Sequence, residues 1–276
     1  LDHSRNPKVQ ENIMTPKTFR YELDNGIGRI TLDRPKTLNS LTFDVYGELR
    51  DFFSWLEDDR ESRVIVVNGE GKGFCSGGDF HEIIKHLVEM NYQQQYDFSR
   101  MTCDLIRNMR RLTKPVIGQL HGATTGAGAV MAAACDIRVA AENTKIAYLF
   151  PKVGLSSADM GIAYLLPRLV GFGIASELLL TGRFVYAEEA AKIGLVNRVV
   201  PLEKLAEETT ALAQDLLKGP RVGLAVTKQA LNDELFMDAD VAINSEAETQ
   251  ARLMQGNDFK EAYHAFLEKR DPKFTD

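Results

Sequence analysis

Lys114-Pro115-Val116-Ile117-Gly118-Gln119-Leu120-His121-Gly122-Ala123-Thr124-Thr125-Gly126-Ala127-Gly128-Ala129-Val130 is the stretch whose reading decides the fold. Pro115 ends any helix before it, because proline lacks the backbone donor and crowds the preceding turn. Residues 116–120 form a short apolar run of buried-strand type, and residues 122–135 read as a Gly/Ala-rich turn entering a helix. Where a strand turns into a helix, the first helical N–H groups have no internal partner and point outward with the positive end of the dipole. Small residues let a ligand approach that backbone closely. The same arrangement occurs upstream, where Val64-Ile65-Val66-Val67 leads to Gly73-Phe74-Cys75-Ser76-Gly77-Gly78-Asp79-Phe80. Singly, each is what any tight strand-to-helix turn requires. Converging on one point, the two would form an oxyanion hole for the anion that develops at a carbonyl oxygen.

Outward from these turns, residues 19–23 and 27–32 flank Asn25-Gly26 and predict a hairpin, since that dipeptide accepts positive φ. Helical spacing of apolar residues marks 41–57, and helices are also expected over 80–90 and 103–112. Another strand is expected at 137–140. From residue 163 the pattern is mostly helical, at 163–169, 174–180, 187–193, 202–217, 222–231 and 238–254. Strands first and helices last suggest an α/β core with a helical appendage of the kind that docks onto neighbours in oligomers.

Composition bounds the function. The chain has 276 residues, with 33 Lys+Arg against 39 Asp+Glu, a net charge of −6. Such a balance disfavours nucleic acid, and an anionic ligand must be held by local basic groups or backbone N–H. No run reaches the roughly 18 apolar residues of a membrane span. Cys75, Cys103 and Cys135 show neither disulfide nor zinc spacing, which suits a reducing compartment, cytoplasmic or organelle matrix. Residues 1–17 read as a polar tail without a signal-peptide core. No dinucleotide or P-loop glycine spacing, nucleophile elbow or metal-ligand pair is present.

Further motifs surround the two turns: Asp33-Arg34-Pro35-Lys36-Thr37-Leu38-Asn39-Ser40-Leu41, Leu166-Pro167-Arg168-Leu169-Val170-Gly171, Leu180-Thr181-Gly182-Arg183, Ala187-Glu188-Glu189-Ala190 and Gly194-Leu195-Val196. In this order, from about Phe19 to Phe274, the chain resembles the crotonase superfamily, that is, the enoyl-CoA hydratase/isomerase family. The resemblance implies an α/β fold, a crotonase-like spiral of ββα units at 18–200, followed by a helical oligomerisation region at 201–276. It also implies a homotrimer or a hexamer made as a dimer of trimers. The substrate would be an acyl-CoA thioester whose carbonyl oxygen is held by two backbone N–H groups, by position those of Gly78 and Ala127. Coenzyme A is then part of the substrate, and no separate cofactor or metal is expected. Lys36, Leu38 and Ser76 fall where family members hold the adenine and phosphate end. Lys269, in the closing helix, is a candidate phosphate contact.

The acid–base positions depart from the family's best-known hydratases. Those carry one glutamate five residues before the Cys-Asp that ends the second turn's helix, and another in the loop after the next strand. Here the positions are Val130 and Phe150, or Lys152 with the gap placed differently. Val130 and Phe150 cannot activate water and are expected to contact substrate. One carboxylate remains in the neighbourhood, Asp159, expected at a helix start facing a pocket, where a plain N-cap is the competing reading. The resemblance places it near the catalytic aspartate of dienoyl-CoA isomerases and the nucleophilic aspartate of aryl-CoA dehalogenases. In a partly dry pocket its pKa would rise and it could move a proton. His81, Glu82 and His86 read as a solvated helical face, His121 as structural, and Cys75 as unactivated. Residues 91–96 read as a polar, flexible stretch that shapes the acyl pocket. The expected activity is enoyl-CoA hydratase. The alternatives are an enoyl- or dienoyl-CoA isomerase using Asp159, a hydrolase or dehalogenase with Asp159 as nucleophile, and an RNA-binding relative, against which the net charge speaks.

Overall fold

The computed structural model describes residues 14–275, so most of the tail read at 1–17 lies outside the described residues. Asn25 and Gly26, with φ of 48° and 82°, close the expected hairpin between β1 (Phe19–Asp24) and β2 (Ile27–Leu32), with Phe19 opposite Leu32. α1 (Phe43–Asp58) starts at Thr42, whose hydroxyl accepts the Val45 N–H, and buries Val45, Tyr46, Leu49, Phe52, Phe53 and Leu56 on one face. β3 (Val64–Gly69) pairs parallel with β2. A π-helical turn at Phe80–Ile84 runs into α2 (Lys85–Glu89).

The stretch 91–96 is not a flexible loop. It opens α3 (Tyr92–Arg111), because Asn91 and Gln94 exchange side-chain to backbone hydrogen bonds of 3.0 Å in a capping box. The helix therefore starts eleven residues before the apolar spacing at 103 reveals it: its first turns are solvated, and no buried face marks them.

β4 (Val116–Leu120), β5 (Ala123–Thr125), α4 (Ala127–Ala134), β6 (Ile137–Ala141) and β7 (Lys145–Ala147) follow. A 3-10 turn at Phe150–Val153 leads through a loop to α5 (Ile162–Val170) and α6 (Phe172–Thr181). Then come β8 (Val185–Tyr186), α7 (Ala187–Lys192), β9 (Arg198–Val200), α8 (Leu205–Leu217), α9 (Arg221–Asp233), α10 (Ala239–Met254) and α11 (Asn257–Glu268). One six-stranded sheet has the order β1-β2-β3-β4-β6-β9, and a three-stranded sheet the order β5-β7-β8. The short strands β5, β7, β8 and β9 escape a sequence reading because so few residues carry no period of their own.

Both faces of the large sheet are covered. One packs against α1, α3 and α4; the other, through Val64, Val66, Ile117 and Val139, takes Leu205, Leu212 and Ala213 of α8. α8 thus forms a layer of the core although it lies beyond residue 200. α9 is anchored by buried Lys228, whose Nζ pairs with Asp136 at 2.7 Å and donates to Lys114 O at 2.8 Å. α10 and α11 bury only Ala265 and leave Ile243, Phe259, Tyr263, Phe266 and Leu267 exposed. Among the described residues, no helix is long and apolar enough to cross a membrane.

Candidate active site

The two glycine-rich turns are woven together. Cys75 N–H donates to Ala123 O at 3.0 Å, Thr125 N–H to Cys75 O at 2.9 Å, and Thr125 Oγ1 to Ser76 O at 2.9 Å. Gly128 permits this approach, since a Cβ there would lie 2.3 Å from Cys75 O. The Leu41 strand frames Gly78: Leu41 N–H bonds to Gly77 O and Asp79 N–H to Leu41 O, each at 2.8 Å. Gly78's own N–H therefore faces away from that strand. Ala127 is the first residue of α4, ahead of the helical ladder. Among the described residues, neither N–H is engaged by a backbone acceptor outside helices and strands. The turns approach so closely that a Cβ at Gly77 would lie 3.3 Å from the Ala127 nitrogen.

Lys36, Leu38 and Ser76 come together beside the first turn. Ser76 N–H bonds to Leu38 O at 2.9 Å and Ser76 Oγ to Thr37 O at 3.1 Å, while Lys36 and Leu38 are exposed. Asn39 holds the bend from inside, donating to Gly73 O at 2.8 Å and Glu70 O at 2.9 Å. Asp79 caps the following turn, accepting from His81 N, Glu82 N and Ser40 Oγ, with Arg34 at 3.3 Å. Burial alone would raise its carboxyl; the hydrogen bonds and the Arg34 charge outweigh that and hold it below the usual range. His81, Glu82 and His86 are exposed, and His121 is buried with Nε2 3.0 Å from Gly71 O. Lys269 ends α11 with φ 54°, exposed, and no hydrogen bond or ion pair links it to the Lys36–Ser76 group among the described residues.

Asp159 is half-buried directly ahead of α5, where its backbone O accepts the Ile162 N–H at 3.0 Å, and, contrary to the competing N-cap reading, its side chain does not cap that helix. Its Oδ1 accepts the adjacent Met160 N–H at 2.8 Å, and Gly161 holds the cap position. Burial raises its pKa, and the Met160 hydrogen bond only partly offsets this. Two neighbours escape a sequence reading because they come from other elements. Tyr46 of α1 is buried, with its hydroxyl 3.6 Å from where a Cβ on Gly78 would stand. Burial drives this phenol well above its ordinary pKa, and the Cys75 and Asp159 charges add to the shift. The Cys103 thiol of α3 is likewise raised, first by burial and then by the Asp159 charge. Cys75 is fully buried behind the turn and pushed up to about 12, which agrees with an unactivated thiol. Val130 is fully buried in α4 and Phe150 9% exposed.

Chemically, the arrangement offers two N–H groups without a backbone acceptor outside helices and strands among the described residues, a protonated phenol and a carboxylate whose pKa is raised. Known proteins bear on what it does. The family described as enoyl-CoA hydratase/isomerase matches residues 22–276. The chain is 38% identical over 257 residues to "Probable enoyl-CoA hydratase echA12" of Mycobacterium bovis, covering 91% of this chain and 90% of that one. It is 34% identical over 253 residues to 1,2-epoxyphenylacetyl-CoA isomerase of Escherichia coli, covering 92% and 96%. The solved structure of a "putative enoyl-CoA hydratase from Streptomyces coelicolor A3(2)" superposes with a TM-score of 0.93 at 45% identity, covering 98% and 99%. The expected crotonase-like α/β fold with its helical C-terminal region holds. By family match, relatives and structure alike, the chain belongs to the enoyl-CoA hydratase/isomerase family.

Proposed function

We propose that the protein is a hydratase-type enzyme that stabilises a thioester enolate between the Gly78 and Ala127 N–H groups and moves the proton through Asp159. The observation that supports this is the close approach of the two glycine-rich turns, with a Cβ at Gly77 only 3.3 Å from the Ala127 nitrogen, together with the burial-raised Asp159 carboxylate. In the forward step Asp159 takes a proton from water, the water oxygen bonds to the β-carbon, and the enolate oxygen lies between the N–H groups. Asp159 then returns the proton to the α-carbon, so a water is added in sum. Backbone donors fixed in place stabilise the developing charge without reorganising. Phe150, which the resemblance places at one of the glutamate positions, would contact the acyl group, whereas Val130, fully buried in α4, would only back the second turn.

A second reading is favoured by the lone carboxylate: Asp159 removes a proton from one carbon of the acyl chain and returns it to another, an isomerisation. The relatives' names include both a hydratase and an isomerase. Lys36, Leu38 and Ser76 would hold the adenine and phosphate end, and Lys269 would reach phosphate from its own or a neighbouring subunit. The exposed apolar side chains of α10 and α11 support a trimer or hexamer, and three free cysteines suit the cytoplasm. The test is incubation with enoyl-, dienoyl- and aryl-CoA thioesters in deuterated water. Hydration adds a water with label at the α-carbon, isomerisation leaves the product without the mass of a water, and hydrolysis releases coenzyme A. Release of coenzyme A alone, with a covalent adduct on Asp159, would replace this reading by the nucleophilic one.

A further inference from the structure

The largest cavity among the best-formed ones, about 710 Å³, does not contain Gly78, Ala127 or Asp159 in its wall. It begins next to Asp159. Met160, whose N–H donates to the Asp159 carboxylate, and Cys103 of α3 line its inner wall. From there it runs between α3, the start of α5 and the end of α9. Met160 is 2% exposed and holds φ of 50°, a strained conformation for a non-glycine residue, beside Gly161 at φ 82°. An unbranched thioether on such a bend is an adaptable partition between reaction centre and cavity.

The far wall combines an aromatic pair with cations. Tyr164 and Phe236 stack at 5.5 Å and 9°, and the Arg168 guanidinium lies 3.6 Å from the Tyr164 ring centroid. Arg107, Arg110, Arg111 and Lys228 face the space, against Glu57 and Asp233. Lys228 and Arg110 are committed to Asp136, at 2.7 Å and 3.2 Å, and Arg107 to Asp104 at 2.8 Å. Glu57 accepts from Thr113 N–H and Oγ1. Arg111, by contrast, has no ion pair or side-chain hydrogen bond among the described residues. Arg111 is exposed on this partly apolar wall, and an arginine free of ion pairs there is available to an anion that comes with the ligand.

We propose that this cavity is the distal acyl subsite and that it selects acyl-CoA thioesters whose chain ends in a carboxylate, held by Arg111 with Tyr164 and Phe236 against the methylenes. This rests on the acyl-CoA reading above and deepens it. The chain enters past Met160, which places its reactive end at Asp159 and its anionic end at α3.

The test reads binding, so it does not depend on which reaction the enzyme performs. Titration calorimetry compares saturated thioesters of equal length, adipoyl-CoA with hexanoyl-CoA and suberoyl-CoA with octanoyl-CoA. The carboxylate-ended member of at least one pair is expected to bind roughly 10- to 100-fold more tightly, the usual weight of a charge-assisted hydrogen bond. In Arg111→Gln that advantage should fall to within about threefold, and Arg111→Lys should restore part of it. Equal or tighter binding of the alkyl chains, or an advantage that survives in Arg111→Gln, overturns the proposal. Absence of binding by all four thioesters overturns it together with the acyl-CoA reading, whereas tight binding without turnover leaves it standing and faults only the reaction assigned.

Discussion

The Asp159 carboxylate has the Met160 N–H at 2.8 Å as its hydrogen-bond donor, and burial lifts its pKa. Unfolded, the same group titrates near about 4. Between that value and the raised one the native state binds more proton than the unfolded chain, so stability falls as pH rises through the window, and above it the charge is held at a cost. Asp159→Asn removes the charge in the same shape. Its melting temperature at neutral pH, followed by circular dichroism, is expected to equal or exceed that of the parent while turnover is abolished; retained turnover, or a clear loss of stability, would mean the carboxylate is structural. The parent's kcat should rise with pH through an apparent pKa above the usual carboxylate value, because the base form is required. A limb at the ordinary value would show that the reacting group is another, solvated one.

At the level of elements, the proposed function depends on how two strand-to-helix turns are pressed together and on what ties the helices behind them. Gly128→Ala would set a Cβ 2.3 Å from Cys75 O and 2.7 Å from Cys75 Cβ, atoms that cannot yield without separating the turns. The expected result is a kcat loss of roughly 100-fold, as for losing one fixed donor, with about 1–3 kcal/mol of destabilisation from overpacking. Steady-state rates and urea unfolding separate the two. Lys228 gives the complementary case. Burial lowers its pKa, with Asp136 pulling the other way, and Lys228→Met would strand Asp136 with Arg110 and the Val116 N–H. Breaking a buried pair costs about 3–5 kcal/mol, so the urea midpoint should fall sharply, since nothing else polar fastens α9 so deeply. Of these elements, the turns were legible because glycine and alanine cluster after apolar runs. The reach of α3 to Tyr92 was not, because its solvated first turns carry a capping signal in Asn91 and Gln94 but no apolar stripe.

Across the whole molecule, the core closes around the two sheets and ends at α9, leaving α10 and α11 with apolar side chains in solvent. Phe266 is 81% exposed, so replacing it should hardly affect the folding of one chain. If α11 docks onto a second copy, Phe266→Asp should shift the sedimentation of the parent toward the 30.8 kDa monomer without changing its circular dichroism. An unchanged oligomer would move the interface elsewhere.

The chain's local signals determined the hairpin, the buried strands and the order of the two turns, while the resemblance to a family pointed to Gly78, Ala127 and Asp159 as candidates. Each depends on side-chain period, on glycine and proline, or on motifs a few residues long. Only the tertiary structure decided that the Gly78 and Ala127 N–H groups lack a backbone acceptor outside helices and strands among the described residues, that Tyr46 stands beside Gly78, and that a cavity lined by Cys103, Met160 and Arg111 lies next to Asp159. Those contacts join residues from separate helices and turns. Sheet register and helix packing set them, and no pattern along the sequence encodes such distances.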